Sequence, residues 1–392
     1  MKRRFFALFA ALMLLQAPWS ALGEETVVIP EIPTKEMEIP DNEAMRFVRD
    51  MKAGWNLGNT FDAVDCTWLP DPLDYETGWC GVRTSRELIE ALYAAGFRTI
   101  RIPVSWHNHL SADLTVDASW MDRVEEVVSW ALERGMYVIL NIHHDCSPSF
   151  YYPDSAHYES SERYMRTVWS QIAERFRDCD AHLIFEGINE PRLTGTGYEW
   201  WWTEAEPACQ DAMVQIVKLN QVFVDTVRAS GGRNADRYLM VPSYAANPEY
   251  ACRDAFTLPS DSADNRIIVS VHAYTPYDFA LEQPGTDSFS LDNSKQKSVV
   301  AMFLSSLYTK YVANGIPVVI GEFGAMEKNG NLQARVDWLS FYAAQARSRG
   351  ITCCWWDNNC FSGNGERFGL FDRTAARCAV PELLEAFMKN CE

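Results

Sequence analysis

The chain has 392 residues, of which 47% are apolar and 13% aromatic, and its formal net charge is −18 at pH 7. That length can bury a large core. So acidic a surface repels phosphate backbones and anionic membranes, which excludes nucleic acid as a partner and favours a neutral ligand.

The chain opens on what reads as a targeting segment. Lys2, Arg3 and Arg4 precede an apolar run over 5–15, and Ala21-Leu22-Gly23 offers a small-residue cleavage site. The run is too short to span a hydrocarbon core of ~30 Å. Residues 1–23 are therefore expected to be a cleaved signal peptide, with the protein secreted (extracellular, or periplasmic in a Gram-negative source) and free of membrane after cleavage. Residues 24–41 are acidic, Pro-spaced and without helical period, as in a linker or N-terminal arm.

From residue 42 onward, short apolar runs alternate with longer amphipathic ones. Strands are predicted over 54–57, 99–104, 137–142, 182–186, 238–241, 267–271, 317–320 and 352–356. Helical periodicity is predicted over 84–95, 119–134, 160–177, 209–229, 295–313, 331–349 and 381–389. The connection over 242–265 carries no clear apolar stripe. Eight strands alternating with helices imply a parallel sheet, and closure into a single (β/α)8 barrel over 42–392 is the expected α/β fold. An open doubly wound sheet is the alternative, but no GxGxxG or GxxxxGKS follows any strand.

Eleven cysteines suit a secreted chain, although their odd number leaves at least one unpaired. Cys66 and Cys80 flank one loop and are the pair most readily bridged. Cys353 and Cys354 are neighbours on a predicted strand, so their side chains point to opposite faces. No zinc-type His/Cys spacing occurs, and neither a metal nor an organic cofactor is expected.

Polar residues cluster where barrel enzymes place their chemistry, at the C-terminal ends of the strands. In chain order these are Asn56 and Asn59, Arg101, then His143, His144 and Asp145. Asn189 and Glu190 follow the fourth run, His272 and Tyr274 the sixth, Glu322 the seventh, and Trp356, Asp357 and Asn358 the eighth. Each run is apolar until its end and then turns acidic, basic or aromatic. Two carboxylates on the fourth and seventh strands can face each other across the barrel mouth, as glycoside cleavage requires. Arg101 and Tyr274 beside Glu322 would favour its charged form, and an ionised Glu322 would raise the pKa of Glu190. The 14 tryptophans suit sugar recognition, since pyranose C–H faces stack on indole. Trp106 and Trp356 read as site residues, whereas Trp120, Trp130, Trp169 and Trp338 on helical patterns read as core. For Trp200, Trp201 and Trp202 both readings stay open.

The segments GWNLGNTFDA (54–63), RIPVSW (101–106), VILNIHHD (138–145), EGINEPR (186–192), HAYTPYDF (272–279), VVIGEFG (318–324) and WWDN (355–358) resemble glycoside hydrolase family 5. The closest resemblance is to its subfamily 4 of bacterial and rumen-type endo-β-1,4-glucanases. The resemblance implies a retaining mechanism with Glu190 as acid/base and Glu322 as nucleophile. It implies that Arg101 and Tyr274 position the nucleophile, that Asn189 binds the substrate 2-hydroxyl, and that His143 lines the cleavage subsite. His272 would contact the acid/base, and Trp356 would form a sugar platform, with a strained cis peptide to Asp357. His144, Trp106, His109, Asn59 and Asn358 are expected to line the cleft. The implied partner is a β-glucan, including mixed-linkage glucan and xyloglucan, acted on by a monomer. A mannanase or xylanase of the same family, or an inactive carbohydrate-binding barrel, remain the alternatives. The Trp-, Pro- and Asp-rich segment between Cys66 and Cys80 departs from the family pattern and bears most on substrate choice.

Overall fold

The eight apolar runs pair side by side, each parallel to the next, and the last closes onto the first. The computed structural model describes residues 26–391, so the expected signal peptide lies outside the described residues. The strands are β1 (Gly54–Leu57), β2 (Thr99–Ile102), β3 (Tyr137–Asn141), β4 (Leu183–Glu186), β5 (Leu239–Pro242), β6 (Ile267–His272), β7 (Val318–Phe323) and β8 (Thr352–Asp357). The single (β/α)8 barrel is thus confirmed. No helix among the described residues is long and apolar enough to cross a membrane.

Strand boundaries move by a few residues, and the largest shift matters. β7 runs on to Phe323, because Glu322 pairs with His272 across a register shift in the β6–β7 ladder. Both residues therefore sit on rigid strand backbone rather than in a loop, which fixes their side chains more tightly.

The helices are α1 (Glu43–Asp50), α2 (Arg86–Ala94), α3 (Ala118–Glu133), α4 (Tyr158–Arg175), α5 (Pro207–Ala229), the single turns α6 (Pro248–Ala251) and α7 (Tyr277–Ala280), then α8 (Ser294–Lys310), α9 (Leu332–Arg347) and α10 (Pro381–Cys391). The weak stripe over 242–265 holds only a 3-10 turn and α6. A small hairpin pairs Phe371–Asp372 with Arg377–Cys378.

α1 was not anticipated, although Asn42 caps it by accepting the Met45 N–H at 2.8 Å. Its Ala44, Val48 and Met51 pack with Ile139, Ile184, Met240, Ile268, Val319 and Cys354 inside the lower barrel. Thr99 and Thr352 bond to the Met51 and Val48 carbonyls, closing the polar ends of this plug. The side-chain period of two then decides what comes above. Two residues further along the same inward-facing rows come Asn141, Glu186, Ser270 and Trp356. The barrel is thus greasy at the bottom and polar at the top.

Residues 26–41 form neither helix nor strand, yet they are docked. The Val28 backbone exchanges two hydrogen bonds with the Gln333 amide at 2.8 Å each, the Glu38 carbonyl accepts from Tyr308, and Met37 N–H donates to the Ser348 carbonyl.

Two sequence expectations are corrected. Cys66 and Cys80 are both free thiols, so the expected bridge between them is not formed. Cys66 packs beneath Gly78, whose hydrogen leaves room that a Cβ would not, while Cys80 donates to the Glu76 and Val82 carbonyls. Their loop is pinned instead by the buried Glu76 carboxylate, which holds Arg123 and the Thr84 N–H. Among the described residues, the cis peptide bonds are at Thr275–Pro276 and Gln283–Pro284, and the Trp356–Asp357 bond is trans. Cys353 and Cys354 do face opposite sides, Cys354 into the barrel and Cys353 toward the outer layer.

Candidate active site

Arg101 is the hub of the barrel's upper layer. Wholly buried on β2, it donates from Nε to Glu186 at 2.8 Å, from Nη1 to Glu322 Oε1 at 2.7 Å and to Asn56 at 3.0 Å, and from Nη2 to Asn189 at 2.7 Å. Burial pulls its pKa down, but the charges of Glu186 and Glu322 more than reverse this and keep it a cation. A guanidinium fork can serve these acceptors at once, whereas an ammonium offers only a point charge. Glu186 is fully buried at the end of β4 and also accepts from Asn141 and Ser270. Arg101→Met would leave that carboxylate buried without its cation. The expected cost is about 3–5 kcal/mol, read as a lower urea midpoint at unchanged slope. Wild-type stability would show that Arg101 does not hold the layer together.

Glu322 has both oxygens engaged, Oε1 by Arg101 and Oε2 by the Tyr274 hydroxyl at 3.0 Å. Charge-assisted bonds of this kind fix a carboxylate in orientation as well as charge. Glu190 lies across from it. His272 Nδ1 is 2.8 Å from Glu190 Oε1 and 3.7 Å from Glu322 Oε1, and the nearest oxygens of the two carboxylates lie within 4.8 Å. Arg101 Nη2 approaches His272 Nε2 at 3.4 Å. Since Arg can only donate, this arrangement leaves Nδ1 to carry the proton toward Glu190.

The electrostatics of that pair differ from the sequence expectation. Burial raises the Glu190 pKa, but the His272 hydrogen bond and charge, followed by Arg192 and His144, outweigh it, so the direction is down. For His272, burial lowers the pKa while Glu322 and the Glu190 bond raise it further, and the direction is up. Both directions favour an ionised Glu190 facing an Nδ1–H of His272 across the 2.8 Å contact. The missed cation is Arg192, two residues along the chain, with Nη1 at 3.6 Å from Glu190 Oε2.

The remaining residues divide by depth. His143 is buried, hydrogen-bonded to Asn141 at 3.1 Å, and held neutral, first by burial and then by its cationic neighbours. Its ring lies parallel to that of Trp356, with centroids 6.0 Å apart. Trp356 packs on Met326 and Phe368. Gly58 is required beside it, since a Cβ there would lie 2.7 Å from the indole. His144 is partly exposed and kept neutral by burial and by Arg192. Its ring approaches Trp79, which is 40% exposed. Asn59 takes a left-handed φ of 56° in the turn after β1, where its N–H donates to Asp62.

Trp106, His109 and Asn358 do not line the cleft. Trp106 is fully buried, with its indole N–H on the Asn141 carbonyl. His109 stacks on Trp120 at 3.6 Å, and burial pushes its pKa down to about 4. Asn358 is 4% exposed and braces its own loop, donating to the Glu366 carbonyl and accepting from Cys360 and Phe368. A β-strand end looks alike in sequence whether its loop then lines the mouth or dives beneath it.

Among the described residues, two groups of side chains could in principle offer metal ligands: Asp62 with His143 and His144, and Glu190 with His272 and Glu322. In the second, Arg101 already places a cation 2.7 Å from Glu322, which opposes a divalent ion. In the first, burial raises Asp62 to about 6, and its oxygens already accept the Asn59 and Thr60 N–H groups. Neither group resembles a committed metal site.

The model of the cellulase family, glycosyl hydrolase family 5, matches residues 65–362. The chain is 41% identical to endoglucanase B of Ruminococcus albus, over 92% of this chain and 85% of that one. A family 5 lichenase from Caldicellulosiruptor sp. F32 superposes with a TM-score of 0.92 at 53% identity, covering 94% of this chain and all of the other. A broad-specificity endoglucanase of subfamily 4 from Ruminococcus champanellensis superposes with a TM-score of 0.83 at 42% identity, covering 90% of this chain and all of the other. With the motifs in order along one barrel and its two carboxylates meeting at the mouth, the chain belongs to glycosyl hydrolase family 5.

Proposed function

We propose that the protein is a retaining endo-β-1,4-glucanase, with Glu322 as nucleophile and Glu190 as acid/base. The observation that carries this reading is the approach of the two carboxylates to within 4.8 Å. Retaining glycosidases hold their carboxyl groups about 5–5.5 Å apart, whereas inverting ones need about 6.5–9.5 Å to admit a water. The kinship with endoglucanases and a lichenase supports a β-glucan as substrate.

In the first step, Glu322 attacks the anomeric carbon while Glu190 delivers a proton to the departing oxygen. Arg101 and Tyr274 hold the attacking carboxylate in line, and Asn189, itself fixed by Arg101, faces the 2-hydroxyl. Trp356 and His143 receive the sugar on the glycone side, with His144 and Asn59 at the rim. A sugar in the cleft displaces water and deepens burial, which favours the neutral acid. Once Glu322 is esterified, its charge no longer holds a proton nearby, so Glu190 ionises more readily and becomes the base that activates water.

The test is release of reducing ends from carboxymethylcellulose, barley β-glucan, xyloglucan, xylan and mannan. Turnover on the glucans, with oligosaccharides rather than a monosaccharide as early products, is expected. Activity on mannan or xylan alone would overturn the glucanase reading, and binding without turnover would leave only a carbohydrate-binding barrel. We further propose secretion, on the strength of the 1–23 segment, and action as a monomer.

A further inference from the structure

The barrel buries one acid that the proposed chemistry does not use. Glu186, at the end of β4, is wholly shielded from solvent, and so is Arg101. One Glu186 oxygen lies 2.8 Å from the Arg101 Nε, 2.7 Å from its Nη2 and 2.9 Å from the Asn141 amide. The other accepts from the Ser270 hydroxyl. Burying an acid this deeply is costly even when it is paired. Two residues earlier on the same inward row stands Ile184, packed in the apolar lower layer. An apolar side chain would fit the row, so the charge calls for a reason.

Arg101 bonds two carboxylates, Glu186 and Glu322, and the first displacement neutralises one of them. An oxygen of Glu322 gives an electron pair to the anomeric carbon, and the bond from that carbon to the glycosidic oxygen breaks. The departing oxygen keeps that pair and takes the proton of Glu190. Glu322 is then a neutral ester. The negative charge left on Glu190 faces His272 and Arg192 rather than Arg101. Among the described residues that touch Arg101, Asn56 and Asn189 are neutral, and His272 is neutral or positive. Nearby Cys354 stays a neutral thiol, since burial pushes it up to about 12. Glu186 is therefore the anion that keeps the guanidinium paired in the intermediate, where an unpaired buried cation would be strongly unfavourable.

We propose that Glu186 is the permanent counter-ion of Arg101, and that it lets Glu322 give up its charge in forming the glycosyl-enzyme. This rests on the roles proposed for Glu322 and Glu190 and adds what stabilises the intermediate between the two displacements. Glu186 is a positioning residue, acting through Arg101. Replacing an acid with a merely structural role would slow both displacements alike. Losing a counter-ion acts on them in opposite directions. It opposes the step that discharges Glu322 and favours the step that restores its charge.

2,4-Dinitrophenyl 2-deoxy-2-fluoro-β-cellobioside reads the two steps separately, because its fluorine slows both and its good leaving group lets the ester accumulate. Loss of activity reports formation of the ester, and recovery in added cellobiose reports its breakdown. Glu186→Gln keeps the shape of the side chain. Its amide oxygen can still accept from Arg101 and Asn141, and its NH2 can donate to Ser270. Inactivation of this variant should slow roughly tenfold, while reactivation stays unchanged or quickens. Glu186→Asp keeps the charge at longer range, so its loss should be smaller and fall on the same step. Equal slowing of the two steps in either variant, or an inactivation rate unmoved in Glu186→Gln, would overturn the proposal. An unsubstituted enzyme that the reagent does not inactivate would instead refute Glu322 as nucleophile, and the counter-ion role with it.

Discussion

Glu322→Ala is expected to lose turnover on the order of 10^6-fold, on polysaccharide and on activated aryl cellobiosides alike, because no covalent intermediate can form. The loss should come without unfolding. Arg101 keeps Glu186 as a buried partner at 2.8 Å, so no uncompensated charge is left behind. The thermal midpoint should therefore stay near that of the unsubstituted protein. With the nucleophile gone, azide can enter from the vacated side, and a good leaving group should yield the α-glycosyl azide. Residual activity above about one part in a thousand on any substrate would remove Glu322 from the proposed role.

Glu190→Ala is expected to separate the two steps. On polysaccharide, loss of general acid catalysis should cost about 10^2- to 10^4-fold. On 2,4-dinitrophenyl β-cellobioside the first step needs no proton, so an initial burst of dinitrophenol should survive while hydrolysis of the intermediate stalls. Azide should then accelerate turnover and give the β-glycosyl azide, since attack on the intermediate comes from the face Glu190 once guarded. The basic limb of the pH profile should vanish with it. An α-azide product, or equal losses on the aryl glycoside and the polysaccharide, would contradict the assignment.

Much of this architecture is legible in one dimension for a physical reason. A barrel strand buried on both faces reads as an apolar run, and its last inward positions must become polar where they meet solvent and substrate. Arg101, Glu190, His272 and Glu322 announce themselves by that change. Depth is not encoded in the same way. Trp106 and His109 follow β2 much as Asn189 and Glu190 follow β4, but the Asp145 carboxylate accepts the Trp106 and His107 N–H groups and draws that loop under the rim. Glu186 was hidden because its role lies in a buried pairing with β2, 85 residues away. Arg192 was hidden by its nearness, since a contact to Glu190 two residues earlier depends on the turn between them. The three consecutive tryptophans after β4 have no periodicity to distinguish Trp202 from its neighbours, and only the Tyr250 and Cys209 contacts do so. α1 carried a legible cap at Asn42, but its purpose as a plug depends on the barrel it closes.

Electrostatics was the other blind spot. An ionised Glu322 alone would raise the Glu190 pKa, yet its direction is down because His272, Arg192 and His144 all face the same carboxylate. Bound sugar must therefore reverse that direction for Glu190 to act as the acid.

The most direct measurement follows the anomeric protons by NMR during the first minutes of cello-oligosaccharide hydrolysis, before mutarotation scrambles the product. Two displacements through Glu322 predict that the new reducing end appears first as the β anomer. Initial release of the α anomer would mean a single displacement by water, which two carboxylates this close together could not perform.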